Sequence, residues 1–360
     1  MLVRFHLPRW IAAAAACAMA TPVFAADWPG LQPLWPSTAP SPLVTKAPPV
    51  PDVEYFAPRP APAWQVEFGA RYWLGAANTD KTLYDVPSLS SAMVSRLTYS
   101  DIMTNSGEVF GRVGFSDGLF VKGYAGGGAA SFGNLKDEDF PPAITPYSST
   151  TSDQKNGYLR YASADVGYDV VRGGDFRVGV LAGYHYFNEE VNAFGCMQTA
   201  TNPVVCQPSV PTSIEVISQN NQWQSVRVGL DGSLMFAERF KLNAEAAYLP
   251  LVYLNGTDSH WLRIGTAVGD FAGGIPENGR GTGYQFELSL SYQVTEYASI
   301  GIGGRYWHMQ ANGNSNFQGN VIGETAFPQP VDWKTDIVGA FLQGSIKLGP
   351  YPIGAYGVFN

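Results

Sequence analysis

Charge is scarce in this chain. Asp, Glu, Lys and Arg make up 14% of its 360 residues, against the usual quarter or so. The net charge of −8 comes with no basic stripe interleaved with aromatics, so nucleic acid is not expected as a partner. Long apolar runs are missing too: none reaches the roughly 18 residues that a spanning helix needs. Histidine is rare, with 4 in all, and cysteine rarer, with 3. Gly, Tyr and Trp are plentiful by contrast. Low charge and many aromatics without a long apolar run suit a membrane β-barrel, whose strands show lipid only every second side chain.

The N-terminus reads as an export signal over residues 1–25. "MLVRFHLPR" is a basic start, "WIAAAAACAMATPV" an apolar core too short to span, and Val23 and Ala25 are small residues at the cleavage positions. Cys17 falls inside it, and "AAAC" leaves a lipoprotein reading open. Residues 26–63 are Pro-rich with no steady period, which predicts an extended linker without a core. Cys196 and Cys206 close a short segment, "CMQTATNPVVC", that offers too few further ligands for a metal. An even pair in an exported chain predicts a disulfide, with two free thiols as the alternative.

From Trp64 the pattern turns to period two. In "YQFELSLSYQV" (284–294), Tyr284, Phe286, Leu288, Leu290, Tyr292 and Val294 alternate with Gln, Glu and Ser, so one face is apolar and the other polar. Similar runs put Arg177, Arg227, Asp231, Lys241, Asn243 and Glu245 on the polar side. A soluble β-sandwich would also alternate, but a charged interior under an apolar exterior is the membrane-barrel arrangement. The runs predict ten strands: 64–77, 92–116, 118–132, 157–171, 176–194, 221–236, 239–253, 283–295, 297–310 and 334–348. "SDG", "RGGD", "AER" and "TEY" make tight turns that alternate with long loops. The fold class is thus all-β: a ten-stranded antiparallel transmembrane barrel over 64–348, long loops on the extracellular side, and a tail over 349–360. A barrel of this size is too narrow for a generous water channel.

Two short motifs fall just beyond expected strand ends. "KDEDF" carries Asp137 and Asp139 after the third strand, and "LNGTDSHW" carries Asp258 and His260 after the seventh. Residues two apart on extended chain point the same way, so both pairs can look into the barrel mouth. Neutral imidazole is a general base near neutral pH, and a carboxylate behind it orients the ring. Two close carboxylates raise one another's affinity for a proton. A water between His260 and the opposing acids could then attack a peptide carbonyl. Each motif alone is what a solvated acidic loop carries, and three Asp with one His could also bind a metal. A non-enzymatic barrel (structural protein, adhesin or narrow pore) is the competing reading.

With these motifs in these places the chain resembles the omptin family of outer-membrane endoproteases. The likeness covers most of 64–348, including "SRLTYSD" (95–101), "RVGVLAGYHY" (177–186) and "YQVTEYASIGIGGRYW" (292–307). It implies an aspartyl-type endopeptidase at the cell surface that takes peptide or protein substrates, in which His260 activates water, Asp258 supports it, and Asp137 and Asp139 position the water. It implies no metal or organic cofactor, with outer-membrane lipid and lipopolysaccharide as partners and lipopolysaccharide as activator. The chain also departs from the family. The acids that select basic substrates are replaced by Gly256 and, near the first loop, Lys81. Of the lipopolysaccharide motif Tyr-x-Glu-x-Arg only Tyr184 is kept, with Tyr186 and Asn188 in the other two positions.

Overall fold

The computed structural model describes residues 64–85, 91–140, 145–264, 271–317 and 327–349. The expected signal peptide, the linker and all of the tail but Gly349 lie outside these residues. Ten strands follow in order: β1 (Trp64–Tyr84), β2 (Met93–Phe115), β3 (Leu119–Asp139), β4 (Ser148–Arg172), β5 (Phe176–Gln198), β6 (Val210–Phe236), β7 (Phe240–His260), β8 (Ile275–Gln293), β9 (Ala298–Phe317) and β10 (Phe327–Leu348). Each pairs antiparallel with its chain neighbours, and β1 pairs with β10, closing the barrel. Closure satisfies every backbone ladder internally, the condition for strands to cross hydrocarbon. The ten-stranded antiparallel barrel expected from the alternation is the fold observed.

Burial is inverted relative to a soluble protein. Tyr284, Phe286 and Leu288 of β8 are exposed while Gln285, Ser289 and Ser291 are buried. Exposed apolar side chains form an outer band from Phe115, Leu119, Phe176 and Phe236 near the tight turns up to Phe132 and Tyr253. Inside, charges pair. Arg305 donates to Glu108 (2.6 Å) and Glu287 (2.7 Å), and Arg71 reaches both. Arg112, Lys122 and Arg177 converge on Asp231, and Lys122 and Arg227 on Glu245. Further along β1 and β9, Trp73, Tyr161, Phe187 and His185 pack edge-on around Trp307 at centroid distances of 4.9–5.8 Å. Ion pairs and rings cross the lumen.

The tight-turn ends of the strands fall close to expectation, as does the long-loop end of β2; the other long-loop ends extend beyond it. β3 runs to Asp139 rather than 132, β4 starts at Ser148 rather than 157, β7 runs to His260 rather than 253, and β8 starts at Ile275 rather than 283. Both acid motifs therefore sit at the ends of strands, not in loops. Above the membrane the outer face meets water, so apolar side chains no longer mark it, while the hydrogen-bond ladder continues. Tilted strands climb roughly 2.3 Å per residue. Asp258, five residues beyond Tyr253, thus clears the apolar band by roughly 12 Å on that geometry. Cys196 and Cys206 form the expected disulfide, Cα–Cα 5.7 Å, joining the end of β5 to the loop before β6.

Candidate active site at the long-loop end of the barrel

The inward aim of each motif depends on a break in the strand's alternation. Below position 131 the even residues of β3 face inward; Ala130 is 5% exposed. Phe132, of the same parity, is 71% exposed, and from Leu135 onward the odd residues face in. Register against β2 shifts at this point, and Gly133 takes φ +151. In β7, Leu249 faces in (0% exposed) and Leu251 out (51%), with Val252 and Leu254 inward again. β7 spends three residues here against two on both β6 and β8, around Pro250. A bulge reverses which face later side chains take. Without these two, Asp137, Asp139, Asp258 and His260 would all face outward.

Thus aimed, β3 and β7 supply opposite walls of a cleft, four places apart in the ring. Asp258 is 2% exposed, and its Oδ2 lies 3.1 Å from His260 Nε2. Phe271 holds the imidazole edge-on at 5.6 Å. Burial would drain the charge from His260, but the charge and hydrogen bond of Asp258, with Asp137 adding, outweigh it and raise its pKa above 6.5. Asp258 is held below the usual carboxylate range: burial opposes ionisation, and His260 and Lys81 override it. Asp137 is pushed up to about 7 by burial and by Asp139, partly offset by His260. Asp139 is raised by burial, against the pull of Arg263 and His260 and a hydrogen bond from Ser95. The acid pair and the dyad therefore act on one another electrostatically, and no direct hydrogen bond between them is found among the described residues. Glu138 between the acids turns away to Arg96 (2.6 Å) and Lys136 (2.6 Å).

The cleft floor holds residues that the motifs did not reveal. Lys81, Leu97 and Asp137 are paired in one row across β1, β2 and β3. From there Lys81 reaches over the lumen to Asp258 Oδ2 at 2.5 Å and Glu277 Oε1 at 2.5 Å. Burial opposes its charge, but Asp258 and Glu277 raise its pKa, so it stays protonated. The sequence singled out Lys81 as a replaced acid, not as a partner of the dyad; nothing local links residues so far apart. The bulges did leave a local signal, since Gly and Pro inside a strand pattern mark bulges. Among the described residues no group of three or more His, Cys, Asp or Glu gathers as a metal site. On the outer wall, Tyr184 is exposed and donates to Gln224 (3.0 Å), while Asn188 donates to Asn220 (3.1 Å).

The Omptin family model matches residues 121–322, more than half of the chain and a span that includes both motifs but not β1. Among solved structures, the outer membrane protease OmpT from Escherichia coli aligns with a TM-score of 0.60 at 16% identity, over 78% of this chain and 96% of that one. The outer membrane protein OprG from Pseudomonas aeruginosa aligns at 12% identity over 80% and 97%, with a TM-score of 0.34. At these identities the first supports the fold and the second adds nothing to it. No curated protein matches.

Proposed function

The chain belongs to the Omptin family, and from that premise we propose that this outer-membrane barrel is an endopeptidase whose cleft opens to the extracellular side. The observation that carries the reading is the buried Asp258–His260 pair, electrostatically joined to Asp137 and Asp139 on the opposite wall. Asp258 engages Nε2, so the imidazole proton sits there and Nδ1 is the free base. A water between Nδ1 and the acid pair gives its proton to Nδ1 as its oxygen bonds to the scissile carbonyl carbon. Asp258 stabilises the imidazolium. Asp137, with a pKa near 7, holds a proton that it can share with the developing oxyanion. Collapse breaks the C–N bond, and His260 returns its proton to the leaving amine. This scheme uses neither metal nor organic cofactor. Lipopolysaccharide belongs in the assay because the family likeness makes it an activator, although Tyr186 and Asn188 alter the motif.

The test is a mixed peptide library incubated with the purified barrel, with and without lipopolysaccharide. Cleavage should appear, and His260→Ala or Asp137→Asn should lower kcat/KM by about 10²- to 10⁴-fold, the range of a lost acid–base group. Absence of cleavage in every condition, or cleavage indifferent to His260, would leave a non-enzymatic barrel.

A further inference from the structure

The floor beneath the dyad already holds a cation. Lys81 Nζ lies 2.5 Å from Asp258 Oδ2, 2.5 Å from Glu277 Oε1 and 3.3 Å from Gln219 Oε1. Glu277 stands opposite Gly256 in the β7–β8 ladder. Ser315 donates to its Oε1 (2.7 Å) and Gln219 to its Oε2 (2.8 Å). The side chains of Lys81 and Glu277 are 1% and 0% exposed. Gly256 adds no group of its own, and a Cβ there would come within 3.3 Å of Glu277 Oε2. Asp258 Oδ1 is buried with no hydrogen-bond partner among the described residues. Two carboxylates, one of them the dyad's own, thus frame a slot for one ammonium or guanidinium head, and the chain fills it from within.

Resting on the endopeptidase reading, we propose that Lys81 is a specificity-determining residue: an internal cation that occupies the slot between Asp258 and Glu277, so that the enzyme cuts beside uncharged side chains and refuses basic ones. A substrate cation entering this floor would be desolvated, would find both carboxylates engaged, and would meet the charge of Lys81. Discrimination by such a repulsive element is as effective as an added attraction. Opening the slot would require breaking two charge-assisted contacts of a lysine shut off from water, a costly step because the displaced charge stays buried.

Lys81→Ala empties the slot and leaves both acids. Two readouts follow: calorimetric binding of n-butylguanidinium to the detergent-solubilised full-length barrel, and the cleavage profile over a peptide library. Wild type should show no n-butylguanidinium binding and should cut beside uncharged residues. K81A should bind n-butylguanidinium and raise relative kcat/KM beside Lys or Arg at least about tenfold, as expected where a close buried charge pair is made. K81A/E277Q should lose that gain. Binding by wild type, wild-type cleavage beside Lys or Arg as ready as beside neutral residues, or a folded K81A with unchanged binding would each overturn the proposal. If K81A does not fold, the wild-type binding and cleavage results decide. A switch in binding with no cleavage by any variant would uphold the slot and sink the endopeptidase reading; cleavage without the switch would do the reverse.

Discussion

At the residue scale the cleft is a problem in sharing protons. His260 is surrounded by Asp258 on its own strand, Asp137 and Asp139 from β3, and Lys81 from β1. With Asp137 near 7 and His260 raised above 6.5, the apparent constants belong to the cluster rather than to either group. The proposed mechanism needs neutral His260 together with one proton on the acid pair. The pH profile of kcat/KM should therefore be bell-shaped, rising as His260 deprotonates above pH 6.5 and falling as the shared proton leaves. The cation of Lys81 disfavours imidazolium, so removing it must raise the pKa of His260. Lys81→Met, which keeps the stem and loses the charge, should move the acid limb to higher pH. A steady-state profile with the limb unmoved or shifted to lower pH would contradict this electrostatic role.

At the element scale the two bulges make the site. Gly133 adopts φ +151, and a Cβ there would stand 2.5 Å from Ile102 Cδ1 and 2.9 Å from the Ser100 carbonyl oxygen. That conformation favours glycine. Gly133→Ala should cost about 1–3 kcal/mol and disturb the aim of Asp137 and Asp139, lowering activity with stability. The matched change Gly107→Ala, on the same barrel wall, puts a methyl where nothing lies within 4 Å and should cost less. Urea unfolding and peptide turnover of the two variants decide it; equal losses would mean that the bulge tolerates a side chain. Pro250 fits the second bulge because it brings no N–H to the ladder.

At the scale of the whole molecule, ion pairs and aromatic rings cross the lumen of the barrel. Arg305 sits between Glu108 and Glu287, and Trp73, Tyr161 and Trp307 pack edge-on beside it. Wild type should show no steady conductance in planar bilayers; open-pore currents would show that these groups leave the lumen open. Arg305→Ala leaves Arg71, among the described residues, as the one cation shared by Glu108 and Glu287 and should destabilise the barrel, by at most about 3–5 kcal/mol, the usual cost of breaking a buried pair outright. Nearer the long-loop end, Lys81 bridges from β1 to β7 with its side chain 1% exposed.

The sequence alone determined the number of strands, the tight turns, the polar-in and apolar-out sense of the wall, the Cys196–Cys206 pairing and the two motifs. These are local matters: alternation, turn residues and spacing are written in a few consecutive positions. Strand ends at the long-loop side, that of β2 excepted, were not legible, because apolar marking stops where lipid stops although pairing does not. Several expected ends (132 in β3, 157 in β4, 253 in β7) fall at or near register shifts, where the alternation reverses and looks like a stop. Only the tertiary structure decided which face the four site residues take. The break in β3 and the extra residue in β7 show only against the register of neighbouring strands, which one chain segment does not carry. It alone also joined Lys81 to Asp258, 177 residues away, since that contact exists only once the sheet has closed.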